Sequence, residues 1–132
     1  MTPPVILDAS VLIAAMNPAD AYHRKAVALL RSGAISGNLI AHPMTIAESA
    51  VGAAEHGRLE EIQSAYARLG VAIANADSGQ PWRLAQLRAS TRLPLPDCCV
   101  LDTAIEFEGH LATFDSRLAT AAQAHEIALA PA

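Results

Sequence analysis

The feature that most constrains this chain is its alternation of short apolar runs with longer helical stretches. Val5-Ile6-Leu7, Leu39-Ile40-Ala41, Val71-Ala72-Ile73 and Leu111-Ala112-Thr113-Phe114 read as short buried strands. Ser10 is expected to cap a short helix through Met16, which Asn17-Pro18 breaks. A second helix is expected from about Asp20 to Arg31, with Ala26, Leu29 and Leu30 on one side, before turn signals at Ser32-Gly33 and Ser36-Gly37. Pro43 opens a helix to about His56 that Gly57 ends, and Arg58 to Leu69 form another, closed by Gly70. Pro81 starts a helix with Trp82, Leu84 and Leu87. Leu93-Pro94-Leu95-Pro96 then reads as a stiff loop delivering Asp97 into the next helix. A last helix starts near Arg117, and Ile127-Ala128-Leu129 is a candidate fifth strand. This βαβα order predicts an α/β fold with a mostly parallel sheet of about five strands, covered by helices on both faces.

A length of 132 residues fits one domain over 1–132, with no repeat or linker. Aromatics make up only 4%, so the core must come from Ala, Val, Leu and Ile. No stretch resembles a secretory signal or a membrane span. Cys98 and Cys99 are adjacent, which rules out an ordinary loop-closing disulfide, and no second pair offers a zinc site. They read as small core residues, and a reduced, cytoplasmic setting is expected. His23, His42, His56, His110 and His125 lack ligand spacing and read as structural or surface residues.

Four acids stand where helix and strand formation do not need them all. Asp8 and Asp115 each follow an apolar run, at the carboxyl end of a strand, where ligands bind in open parallel sheets. Each alone could be a helix cap. Glu48 falls at the edge of the face made by Ile46, Ala47, Ala50, Val51 and Ala54, a usual place for a solvated acid. Asp97 suits the dipole of a helix start but is in line with Leu101, Ala104 and Ile105. Asp102 lies about 140° further round the same helix and reads as a supporting or structural acid. Two carboxylates ~5 Å apart repel by about 3 kcal/mol at an effective dielectric near 20. A cluster of them makes sense with a hard cation such as Mg²⁺ or Mn²⁺, which activates water and stabilises phosphoryl charge.

The segments VILDASVLI, TIAES, LPLPD–CCVLDTA and LATFDSRL, taken in this order from Val5 to Leu118, resemble the signature segments of PIN-domain nucleases. Within that family the chain resembles VapC-type toxins of bacterial toxin–antitoxin pairs. The resemblance implies a three-layer α/β/α sandwich and a Mg²⁺- or Mn²⁺-dependent endoribonuclease. It assigns catalysis and metal binding to Asp8, Glu48, Asp97 and Asp115, with Ser10 and Thr113 as supporting hydroxyls. A VapB-like antitoxin and a homodimer are also implied. Asp102 occurs where many relatives have a small apolar residue.

The formal net charge of −4 argues against a nucleic-acid binder. Setting the four site acids aside leaves nine acids against nine bases, and Arg117, two residues past Asp115, is the base expected to reach an RNA phosphate. Three rival readings fit the residues less well. A phosphoryl-accepting receiver needs a late lysine, and the sole lysine is Lys25. A haloacid-dehalogenase-like phosphatase needs Asp-x-Asp, and here Asp8-Ala9-Ser10 stands in that place. A non-catalytic interaction module would tolerate loss of an acid, and none is missing. The apolar residues of the first two helices are expected to form a groove for an amphipathic segment of the antitoxin, and a charge at Ile13 or Leu29 is expected to disturb either that groove or the fold.

Overall fold

Each strand of the computed structural model, which describes residues 2–131, is only three residues long. The strands are β1 (Val5–Leu7), β2 (Leu39–Ala41), β3 (Val71–Ile73) and β4 (His110–Ala112). The helices are α1 (Ala9–Met16), α2 (His23–Ser36), α3 (Pro43–Glu55), α4 (Leu59–Leu69), α5 (Gln80–Thr91), α6 (Leu95–Glu106) and α7 (Ser116–Ala124). The sheet is parallel with order β3-β2-β1-β4; Val5 pairs with both Leu39 and His110. Residues 127–129 form no strand: Leu129 makes one isolated parallel bridge to Leu111, so the sheet has four strands among the described residues.

Period-two alternation divides the core into two halves. Leu7, Leu39, Ala41 and Ala112 point to one face, where they meet Val11, Leu12, Ala26, Leu29 and Leu30 of α1 and α2. Ile6 and Leu111 point to the other, against Leu87 of α5, Val100 and Leu101 of α6 and Leu118 of α7. The result is the α/β/α sandwich the strand–helix order predicts. Helix α6 is buried nearly all round from Cys98 to Ala104, which explains why its sequence is apolar on every side apart from Asp102 and Thr103. Cys98 and Cys99 are free and buried there, as expected.

Three local expectations change. Helix α2 runs through Ser32-Gly33 to a left-handed Gly37, because Gly33 sits against the sheet: a Cβ there would lie 2.2 Å from Leu39 Cδ2. Strand β4 ends at Ala112, which leaves Thr113 and Phe114 in the loop before α7. Finally, of the two residues expected to face a partner, Ile13 on α1 is exposed and Leu29 on α2 is not. Leu29 is only 5% exposed because the two helices close on each other over the sheet. A groove of about 960 Å³ lies beside α1, α3 and α4, lined by Ile13, Met16, Gly52, Ile62 and Arg68 among others.

Candidate active site

Parallel strands all present their carboxyl ends at one edge, so Asp8, His42 and Thr113, the residues that follow β1, β2 and β4, emerge together. Asp8 starts α1 with its main chain: the Val11 N–H donates to the Asp8 carbonyl at 3.1 Å, while the carboxylate makes no capping bond. Ser10, expected as the cap, has a different task. Its hydroxyl donates to Asp8 Oδ2 at 2.7 Å and accepts the Phe114 N–H at 3.1 Å. The Thr113 hydroxyl donates to the same Oδ2 at 2.7 Å and accepts the Asp115 N–H at 3.0 Å. Each hydroxyl thus joins the acid after β1 to the backbone after β4, and Asp8 is buried and oriented by short charged hydrogen bonds. Among the described residues, nothing hydrogen-bonds its Oδ1.

Asp115 does cap a helix. Its Oδ1 accepts the N–H groups of Arg117 at 2.8 Å and Leu118 at 3.1 Å at the start of α7. Glu48 projects from the exposed side of α3, where partial burial and then the Asp8 charge hold its carboxyl above the usual range. Beside it, the Tyr66 hydroxyl donates to Ser49 Oγ at 2.8 Å, and Ser49 Oγ donates to the Ile46 carbonyl at 2.9 Å, which ties α3 to α4. Asp97 is half-buried at the third position of α6. Its carboxyl is pushed up to about 6, first by burial and then by the charges of Asp8, Asp115 and Glu48; exposed Arg117 pulls it the other way. The four acids therefore converge electrostatically, and none of them makes an ion pair among the described residues.

The donor set is all carboxylate, which suits a hard divalent ion better than zinc, whose sites usually include Cys or His. Among the described residues, no three His, Cys, Asp or Glu side chains close around one point. An ion such as Mg²⁺, held through one or two carboxylates with much of its water retained, fits such an open set.

Asp102 belongs to a different neighbourhood. It is 2% exposed and faces α5, where Arg83 donates through Nε to Oδ1 at 2.8 Å and through Nη2 to Oδ2 at 3.1 Å. Gln80 Nε2 donates to Oδ2 at 3.3 Å, and Gln80 Oε1 lies 3.1 Å from His42 Nε2. The other ring nitrogen, His42 Nδ1, accepts the Met44 N–H at 3.0 Å, so Nε2 carries the proton and donates to Gln80. This wiring runs from the start of α3 through α5 to α6, and Arg83 continues it to Asp77 and Glu106. Side-chain hydrogen bonds, first to Asp77 and then to Asp102, raise the Arg83 guanidinium further above its ordinary value. Sequence reasoning found Asp102 but missed Gln80 and Arg83, because the partners lie about twenty positions apart and no local pattern joins them. Thr45 Oγ1, on α3 between His42 and Glu48, is buried without a partner.

The model of the PIN domain family matches residues 5–124. No curated protein matches the chain. Among solved structures, the chain is similar to a toxin–antitoxin complex from Klebsiella pneumoniae (22% identity, 85% of this chain and 87% of that one, TM-score 0.66). It is also similar to Mycobacterium tuberculosis VapC20, a toxin described as cleaving the sarcin–ricin loop (16% identity, 89% and 94% covered, TM-score 0.69). A third similar structure is FitAB bound to an IR36 DNA fragment (20% identity, 95% and 92% covered, TM-score 0.70). At these identities, the structures speak for the shared fold.

Proposed function

The chain belongs to the PIN domain family, and from that premise we propose that it is a metal-dependent endoribonuclease, the toxin of a toxin–antitoxin pair. One observation carries the reading: four carboxylates with no ion pair of their own among the described residues are close enough to feel one another, and burial together with the charges of Asp8, Asp115 and Glu48 pushes Asp97 up to about 6. In a domain of marginal net stability, such unrelieved repulsion points to a positively charged ligand.

Asp8, Glu48, Asp97 and Asp115 would hold Mg²⁺ or Mn²⁺, partly through water. The ion supplies Lewis-acid stabilisation of the phosphoryl oxygens and a more acidic water. The chain's own part is orientation. Ser10 and Thr113 hold Asp8 Oδ2 and leave Oδ1 without a hydrogen bond among the described residues, and the cap on α7 fixes Asp115. Arg117 is exposed near Asp97 and offers a guanidinium to a substrate phosphate. The antitoxin would lie on the groove beside α1, α3 and α4, where Ile13 and Met16 expose apolar surface. The neighbours whose descriptions name toxins or antitoxin complexes support this partner class.

The test is cleavage of a single-stranded RNA with added Mg²⁺ or Mn²⁺, compared with the protein in chelator. Asp8→Asn should lower the rate by roughly a hundredfold or more and weaken the thermal stabilisation the ion gives. Normal cleavage by folded Asp8→Asn protein would overturn the reading.

A further inference from the structure

Two of the chain's five aromatic residues stack on each other at the rim of the acid cluster. The rings of Tyr22 and Phe114 have centroids 4.6 Å apart and planes 14° from parallel. Phe114 is the residue between Thr113 and Asp115, and its N–H is held by the Ser10 hydroxyl that orients Asp8. Below, Phe114 packs against the core under α1 and α2. Tyr22 is 48% exposed, so the stack is not sealed off from solvent.

The mount is rigid. The Tyr22 N–H donates to Asp20 Oδ1 at 2.8 Å, and its carbonyl accepts the Ala26 N–H in the first turn of α2. His23 Nδ1 lies 2.9 Å from the Ala14 carbonyl, which pins the start of α2 to α1. These bonds fix the backbone at Tyr22, and the stack on Phe114 restricts its ring, so little freedom is left to lose when something stacks on it.

We propose that Tyr22, backed by Phe114, is a stacking platform for one unpaired nucleobase of a single RNA strand whose phosphate lies at the acid cluster. This rests on the ribonuclease reading and deepens it, because it names a residue that positions the strand. A base inside a duplex is already stacked on its neighbours and cannot use the platform. Aromatic rings are the usual receivers of splayed-out bases in single-stranded recognition. A residue serving only as a lid over Phe114 needs apolar bulk, and leucine supplies that; a platform needs a flat face.

The experiment uses the full chain. Single-turnover cleavage of a single-stranded RNA gives the half-saturating concentration and the maximal rate separately. Tyr22→Leu should raise the former roughly tenfold or more and leave the latter nearly unchanged, while Tyr22→Phe and Tyr22→Trp restore wild-type binding. Circular dichroism confirms that each variant is folded. In a Trp82→Phe background, the indole of Tyr22→Trp should be quenched by that RNA and not by the same strand with abasic positions at the cut site. Cleavage by wild type with Tyr22→Leu indistinguishable from it would overturn the platform and leave the ribonuclease standing. Base-dependent quenching in a protein that cuts no RNA would do the reverse. Equal quenching by the intact and abasic strands would also overturn the platform, since the contact would then be to backbone.

Discussion

Asp97 and Asp102 sit five residues apart on one helix and live in opposite electrostatic worlds. Asp102 is the more deeply buried, yet both its oxygens are occupied, by Arg83 and Gln80. Asp97 is only half-buried, yet its carboxyl is pushed up to about 6, because burial is joined by three neighbouring carboxylates and opposed only by Arg117. Burial alone does not separate a structural acid from a functional one. What separates them is whether the fold supplies the compensating charge. At Asp102 it does; around Asp97 only exposed Arg117 opposes the neighbouring carboxylates.

The largest effect that would test this contrast is on stability. Asp102→Ala removes three hydrogen bonds and leaves a buried gap beside Gln80, and should cost roughly 2–3 kcal/mol in urea denaturation. Cleavage by the folded protein should persist, since Asp102 faces away from the cluster. A loss of activity without a loss of stability would place Asp102 among the site acids and dissolve the comparison.

Asp97 should behave in the opposite sense. In chelator, its carboxyl titrates near 6 in the folded protein against an ordinary 3.8 when unfolded. Between those values the folded state binds more protons, so stability should fall as pH rises from about 4 to about 6 and stay low above that. Asp97→Asn should remove that contribution and stabilise the metal-free protein above pH 6 by about 1 kcal/mol, after discounting for solvent screening. Thermal melts across this pH range check it. Unchanged slopes in wild type and variant would mean that the repulsion is not felt.

The smallest effect concerns the helix between the two regions. Thr45 has an orphaned buried hydroxyl, so Thr45→Val should leave stability unchanged or raise it by up to about 1 kcal/mol. Marked destabilisation would show that the hydroxyl has a partner, and would join α3 to one of the two networks by a further bond.

The sequence by itself determined the layer order and the place of Asp8 directly after β1. Buried strands need apolar residues on both faces, and parallel strands need helical crossovers, so Val5–Leu7, Leu39–Ala41 and the helices between them were legible from local composition. An acid placed directly after such a strand must emerge at the ligand-binding edge, whatever the rest of the chain does. Helix ends were less legible where a long-range contact overrode a local signal, as where Gly33 lies against Leu39 rather than ending α2. Only the tertiary structure decided the partners. Ser10 became a brace for Asp8 and Phe114 instead of a cap, because β1 and β4, more than a hundred residues apart, lie side by side. Arg83 neutralised Asp102, and no cation neutralised Asp97 to the same degree, for the same reason. Hydrogen bonds and Coulomb interactions act over a few ångströms of space, and sequence separation does not measure that distance.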